Sequence, residues 1–106
     1  MKYLVQWRAH QHHSSEHFEN DTQRMNAVLD KWIPPEGLVI HHFLARVDGQ
    51  GGIAIVEVPA SDDGSLLAEA PSVFAPWFSY EIIPMMDIPV AIESATHGRE
   101  LRHRAG

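Results

Sequence analysis

From Lys2 to Arg8 the chain alternates, with Tyr3, Val5 and Trp7 on one side and Leu4, Gln6 and Arg8 on the other, which predicts a strand with one apolar face. The polar stretch His10–Ser15 breaks that pattern. Ser14 or Ser15 is the expected N-cap of a helix, with Glu16 and Glu19 in its first turn, where negative charge is favoured. Phe18, Met25, Val28, Leu29 and Trp32 then fall on a single helical stripe. Pro34-Pro35 ends the helix, because proline cannot continue it and disfavours helical backbone before it.

Residues 38–47 (LVIHHFLARV) and 53–58 (IAIVEV) are β-rich runs joined by the Gly-rich turn 48–52 (DGQGG), the pattern of an antiparallel hairpin. Ser61 is the expected cap of a second helix, with Asp62 and Asp63 in its first turn and Leu66, Leu67, Ala70, Val73 and Phe74 as its buried stripe; Gly64 and Pro71 weaken it. Residues 77–83 (WFSYEII) read as a last strand stopped at Pro84. The tail of about 87–106 is expected to be partly helical, interrupted near Pro89 and Gly98, or partly disordered.

Strand, helix, hairpin, helix, strand is the split βαβ order of an α+β, ferredoxin-like βαββαβ domain. It predicts one domain over 1–106, with a four-stranded antiparallel sheet and helices on one face. Alternation assigns Tyr3, Val5, Trp7, Val39, His41, Phe43, Ala45, Val47, Ala54, Val56, Val58, Phe78, Tyr80 and Ile82 to the helix-covered face. The other face then holds Leu38, Ile40, Leu44, Ile53, Ile55 and Trp77 among His42, Arg46, Glu57 and Glu81. It is too apolar for open water, and a second copy of the same sheet is its simplest cover, giving a sheet-to-sheet dimeric α/β barrel. A bulge in any strand would exchange residues between the faces.

Charge narrows the partners. A net charge of −6 argues against nucleic acid and anionic membranes. The basic group Arg99, Arg102, His103 and Arg104 suits a helix C-terminus. The chain has no cysteine, which excludes thiolate ligands and a Cys nucleophile and fits a reducing compartment. No apolar run approaches a membrane span, so the cytoplasm is the expected location.

The opening MKYLVQW, the PPEG after the first helix, the DGQGGIAIVE hairpin and the late FAPW and YEIIPMMDI together resemble a small bacterial family known only as a numbered domain of unknown function, DUF3303-like. The resemblance covers roughly residues 1–92. It implies a ferredoxin-like protomer within the dimeric α/β-barrel superfamily. It implies no activity. That superfamily includes cofactor-independent quinone-forming monooxygenases, lactone isomerases, haem-degrading enzymes and haem peroxidases, and none of their site motifs is matched here residue by residue.

Eight histidines are many for this length. His10, His12, His13 and His17 are weak metal candidates, His13 and His17 being spaced to share a helix face; a solvated loop and first turn is the plainer reading. His41 and His42 are adjacent on a strand and so expected on opposite faces. At His41 a hydrogen-bonded core histidine is favoured over a catalytic one. If the space between sheet and helices is hollow, His41, Tyr80, Tyr3 and Trp7 form the best set for a small aromatic ligand, with His41 and Tyr80 the catalytic candidates. His42, Arg46, Glu57, Trp77 and Glu81 are the expected interface residues. The DGQGG loop joins strands and is no phosphate loop. Ser61, Ser65 and Ser72 lack a nucleophile elbow.

The reading is therefore a homodimer that binds a small apolar or aromatic molecule between sheet and helices, with simple proton transfer or cofactor-independent oxidation as its conceivable chemistry and no cofactor implied. A non-catalytic interaction or accessory protein is the first alternative. A His-rich metal- or haem-handling protein is the second.

Overall fold

A computed structural model describes residues 1–10 and 15–106, and the side chains of all of these except 15–18 and 21. The elements are β1 (Lys2–Ala9), α1 (Ser15–Lys31), β2 (Val39–Ala45), β3 (Gly51–Glu57), α2 (Ser65–Phe74), β4 (Phe78–Met85) and α3 (Ile88–Ala105). The strands form one antiparallel sheet in the order β2-β3-β1-β4, the ferredoxin-like arrangement. Reciprocal bonds between Met1 and Val58, both 2.9 Å, close one end of the central pair. Bonds from Ala9 to Gln50 (2.7 Å) and from His10 to Trp77 (2.9 Å) close the other.

Several element ends differ from the sequence pattern, each for a structural reason. The hairpin turn comes earlier. Arg46 and Val47 leave β2, and Gly51 and Gly52 enter β3, because the Arg46 amide bonds Gly51 (2.8 Å) and the Gly49 amide bonds Arg46 (3.0 Å). The second helix starts later than a Ser61 cap would set it. Asp62 instead accepts from the amides of Gly64 (2.9 Å) and Leu66 (3.4 Å), and Asp63 from that of Ser65 (3.1 Å), so both carboxylates serve the turn ahead of α2. Pro84 does not stop β4. That strand is an edge paired only to β1, so a missing N–H removes no ladder bond on its free side. The tail is one continuous helix to Ala105. Pro89 sits in its first turn, where its N–H would have no partner, and Gly98 is tolerated within it.

α1 and α2 lie on the same face of the sheet, where Ala54, Val56, Val58 and Phe74 form the buried core. On the opposite sheet face only Gly51, at the hairpin end, is buried, and no residue of α3 is. The radius of gyration is 18.3 Å, well above the roughly 13 Å expected for a compact chain of this length. Among the described residues no helix is long and apolar enough to cross a membrane.

Candidate functional site

A cavity of about 350 Å³ lies between the sheet and the two helices. Its floor is the inward face of all four strands: Val5 and Trp7 from β1, Ile40, Phe43 and Ala45 from β2, Ala54 and Val56 from β3, and Phe78 and Tyr80 from β4. Met25 and Leu29 of α1, with Trp32 just beyond it, form one side of the roof. Leu66, Leu67, Ala70, Pro71 and Phe74 of α2 form the other. Of these roof residues, all but Pro71 belong to the apolar stripes that helical periodicity picks out, while Val28 and Val73 of those stripes do not line the cavity.

Aromatic rings shape the space. Trp7 and Phe43 pack with centroids 5.3 Å apart, tilted by 45°. Trp32 meets Phe74 edge-on at 5.7 Å, and Phe78 meets Tyr80 edge-on at 6.4 Å. The Trp7 ring lies against the β3 backbone only because position 52 is glycine. A Cβ there would sit 2.4 Å from the indole and 2.3 Å from the Leu44 carbonyl. The indole N–H of Trp32 donates to Glu69 Oε1 at 3.0 Å and ties the end of α1 to α2. Burial pushes the Tyr80 phenol up to about 12, so it stays protonated and able to donate throughout the neutral range.

Of the four residues expected to gather around a ligand, Trp7 and Tyr80 line the cavity; Tyr3 shares their face but lies outside it. His41 does not join them. Ile40 pairs with Val56 and His42 with Ile55, so His41 is the extra residue of a β-bulge. The bulge reverses the expected facing of the strand's first half. Leu38 and Ile40 line the cavity, whereas Val39 pairs with Glu57 on the outward face. His41 reaches that face too, its Nε2–H donating to Glu57 Oε1 at 2.8 Å. His41 and His42 thus share a face instead of opposing one another. The bond from His41 holds the Glu57 carboxyl below its ordinary range.

The outward face carries the rest of the expected interface set only in part. His42, Glu57 and Glu81 are on it, among Leu4, Leu44, Ile53, Ile55 and Ile83. Arg46 lies in the hairpin turn and pairs with Asp48. Trp77 precedes β4, and its ring packs 6.4 Å from Phe74 on the helix side. On the metal candidates, His12 and His13 and the side chain of His17 lie outside the described residues. His10 has both ring nitrogens engaged. Nδ1 donates to the Pro76 carbonyl at 3.2 Å, which leaves Nε2 of the neutral ring to accept from the Ser79 hydroxyl at 3.0 Å. Among the described residues no cluster of three or more His, Asp or Glu is placed to hold a metal ion.

The fold and cavity define a small α+β sheet-and-helix protein with an apolar, aromatic-walled chamber. Within that class, the chain belongs to the family described as domain of unknown function DUF3303, whose model matches residues 1–98. No match is found among curated proteins.

Proposed function

We propose that this protein is a cytoplasmic homodimer that binds a small apolar or aromatic molecule between its sheet and its helices. The cavity carries the reading. It is of ligand size, and every lining residue among those described is apolar or aromatic. A space of this kind, if merely a packing fault, would weaken the domain by leaving its lining without van der Waals partners. Of the two acid–base candidates, Tyr80 alone reaches the cavity, and it stays protonated there, so it can donate a hydrogen bond but holds no phenolate to abstract a proton. The reading therefore extends to binding, with no catalytic step assigned.

The dimer is supported by the outward face. Val39 (51% exposed) and Leu44 (58%) stand there beside half-exposed Ile53, Ile55 and Ile83. Ile88, Val90, Ile92 and Leu101 are likewise exposed on α3. A second copy covers such a surface, with His41, His42, Glu57 and Glu81 as its polar members.

The test is to extract protein purified under native conditions and identify small molecules that co-purify, in the wild type and in Ala70→Phe, whose added ring fills the cavity from α2. The reading expects an apolar or aromatic compound in the wild type and its loss in the variant. Equal content in both, or empty protein that also fails to take up naphthalene-sized probes, would contradict it.

A further inference from the structure

The polar atoms of the cavity say what kind of molecule it suits. Among its described lining side chains only three carry an N–H or O–H group: the indoles of Trp7 and Trp32 and the phenol of Tyr80. An indole N–H can only donate, and that of Trp32 is already given to Glu69. Trp7 and Tyr80 face one another directly across the β1–β4 pair, so their side chains rise from the same spot on the cavity floor. Among the described residues no carboxylate, amine, guanidinium, imidazole or amide lines the space. A charged ligand would lose its hydration there with nothing to replace it, and a ligand rich in donors would find one phenol oxygen to serve them all.

We propose that the ligand is a neutral, flat aromatic compound bearing a carbonyl-type hydrogen-bond acceptor, which lies against Trp7 with that acceptor taking the Tyr80 hydroxyl proton. The proposal rests on the ligand-binding reading above and narrows it to one chemical class. The cavity volume equals about a dozen waters, which suits two to three fused rings. A phenol is protonated at physiological pH, and burial moves the Tyr80 pKa further above that range, so its donor role does not switch off.

The experiment compares three probes of one skeleton: 1-acetylnaphthalene, which has the acceptor; 1-ethylnaphthalene, which lacks it; and 1-naphthoate, which is charged. Binding is followed by calorimetry on the full chain, wild type and Tyr80→Phe, with circular dichroism confirming that the variant folds. The wild type should prefer the ketone to the hydrocarbon by on the order of fivefold, the yield of one net hydrogen bond. Naphthoate should bind far more weakly than either. Tyr80→Phe should erase the preference and leave the hydrocarbon's affinity unchanged. Equal binding of ketone and hydrocarbon by the wild type overturns the acceptor class while leaving the aromatic-binding reading intact. Tightest binding of naphthoate overturns the neutral ligand, and a preference that survives in Tyr80→Phe overturns the assignment to Tyr80. Failure of all three probes in a folded wild type overturns the ligand-binding reading itself.

Discussion

Single residues decide what the cavity can be. Gly52 brings the Trp7 ring flat against β3, with no room for a methyl group between them. Gly52→Ala should therefore cost about 2–3 kcal/mol and lower the melting temperature by roughly 10 °C or more. Gly49, whose φ of 73° places it in the left-handed region with open space around it, should cost only about 1 kcal/mol as alanine. Thermal melts of both variants check the ranking, and the reverse order would contradict the packing described for Trp7. Two ion pairs contribute to the acid response. Glu57 is held below its ordinary pKa by the bond from His41, and Asp87 by that from Lys2. A carboxyl lowered by folding stabilises the native state above its unfolded value, and that contribution is lost as the pH falls through its folded value. Both sites are exposed, so stability should hold from about pH 5 to 7 and drop modestly below about pH 4. Glu57→Gln should shrink that drop, as melts across the range would show. The residue scale is also where the sequence misleads. Leu38, Val39, Ile40, Phe43 and Leu44 make both registers of β2 apolar, so no polar alternation marks the bulge at His41. Simple alternation places His41 on the cavity face, and one extra residue in the strand reverses that parity.

Between elements, the structure is held more firmly across the sheet than above it. The three strand pairings run the length of the sheet, broken only by the bulge at His41, whereas the roof is joined by a few aromatic contacts and the Trp32–Glu69 bond. Trp32→Phe should keep the ring contact with Phe74 and lose the bond, at a cost of about 1 kcal/mol, seen as a drop of several degrees in the melting temperature. An unchanged melt would mean that the bond does not join the helices in solution. Element order and type were legible because alternation and helical stripes are strong here, and the hairpin was legible from its glycines. The ends were less so. Asp62 and Asp63 compete with Ser61 for the cap, Pro84 reads as a stop until its strand is known to be an edge, and Pro89 reads as a break until it is known to lie in a first turn. None of these facts is local to the residue concerned.

At the scale of the whole molecule, the chain has two apolar surfaces with different fates. The inward one surrounds the cavity; the outward one, like the exposed side of α3, is the surface that the proposed dimer would cover. Light scattering should give the mass of a dimer, and Leu44→Asp, which places a charge among Ile53 and its neighbours, should shift it toward the monomer. A wild-type monomer at micromolar concentration would contradict that assembly. The division of the sheet into a ligand side and a pairing side is the central claim, and methyl-resolved NMR tests it most directly. With isotope-labelled protein and 1-acetylnaphthalene, the account predicts shifts at the methyls of Val5, Ala54, Val56, Leu66, Leu67 and Ala70. Shifts confined instead to Val39, Leu44, Ile53, Ile55 and Ile83, on the outward face, would contradict it.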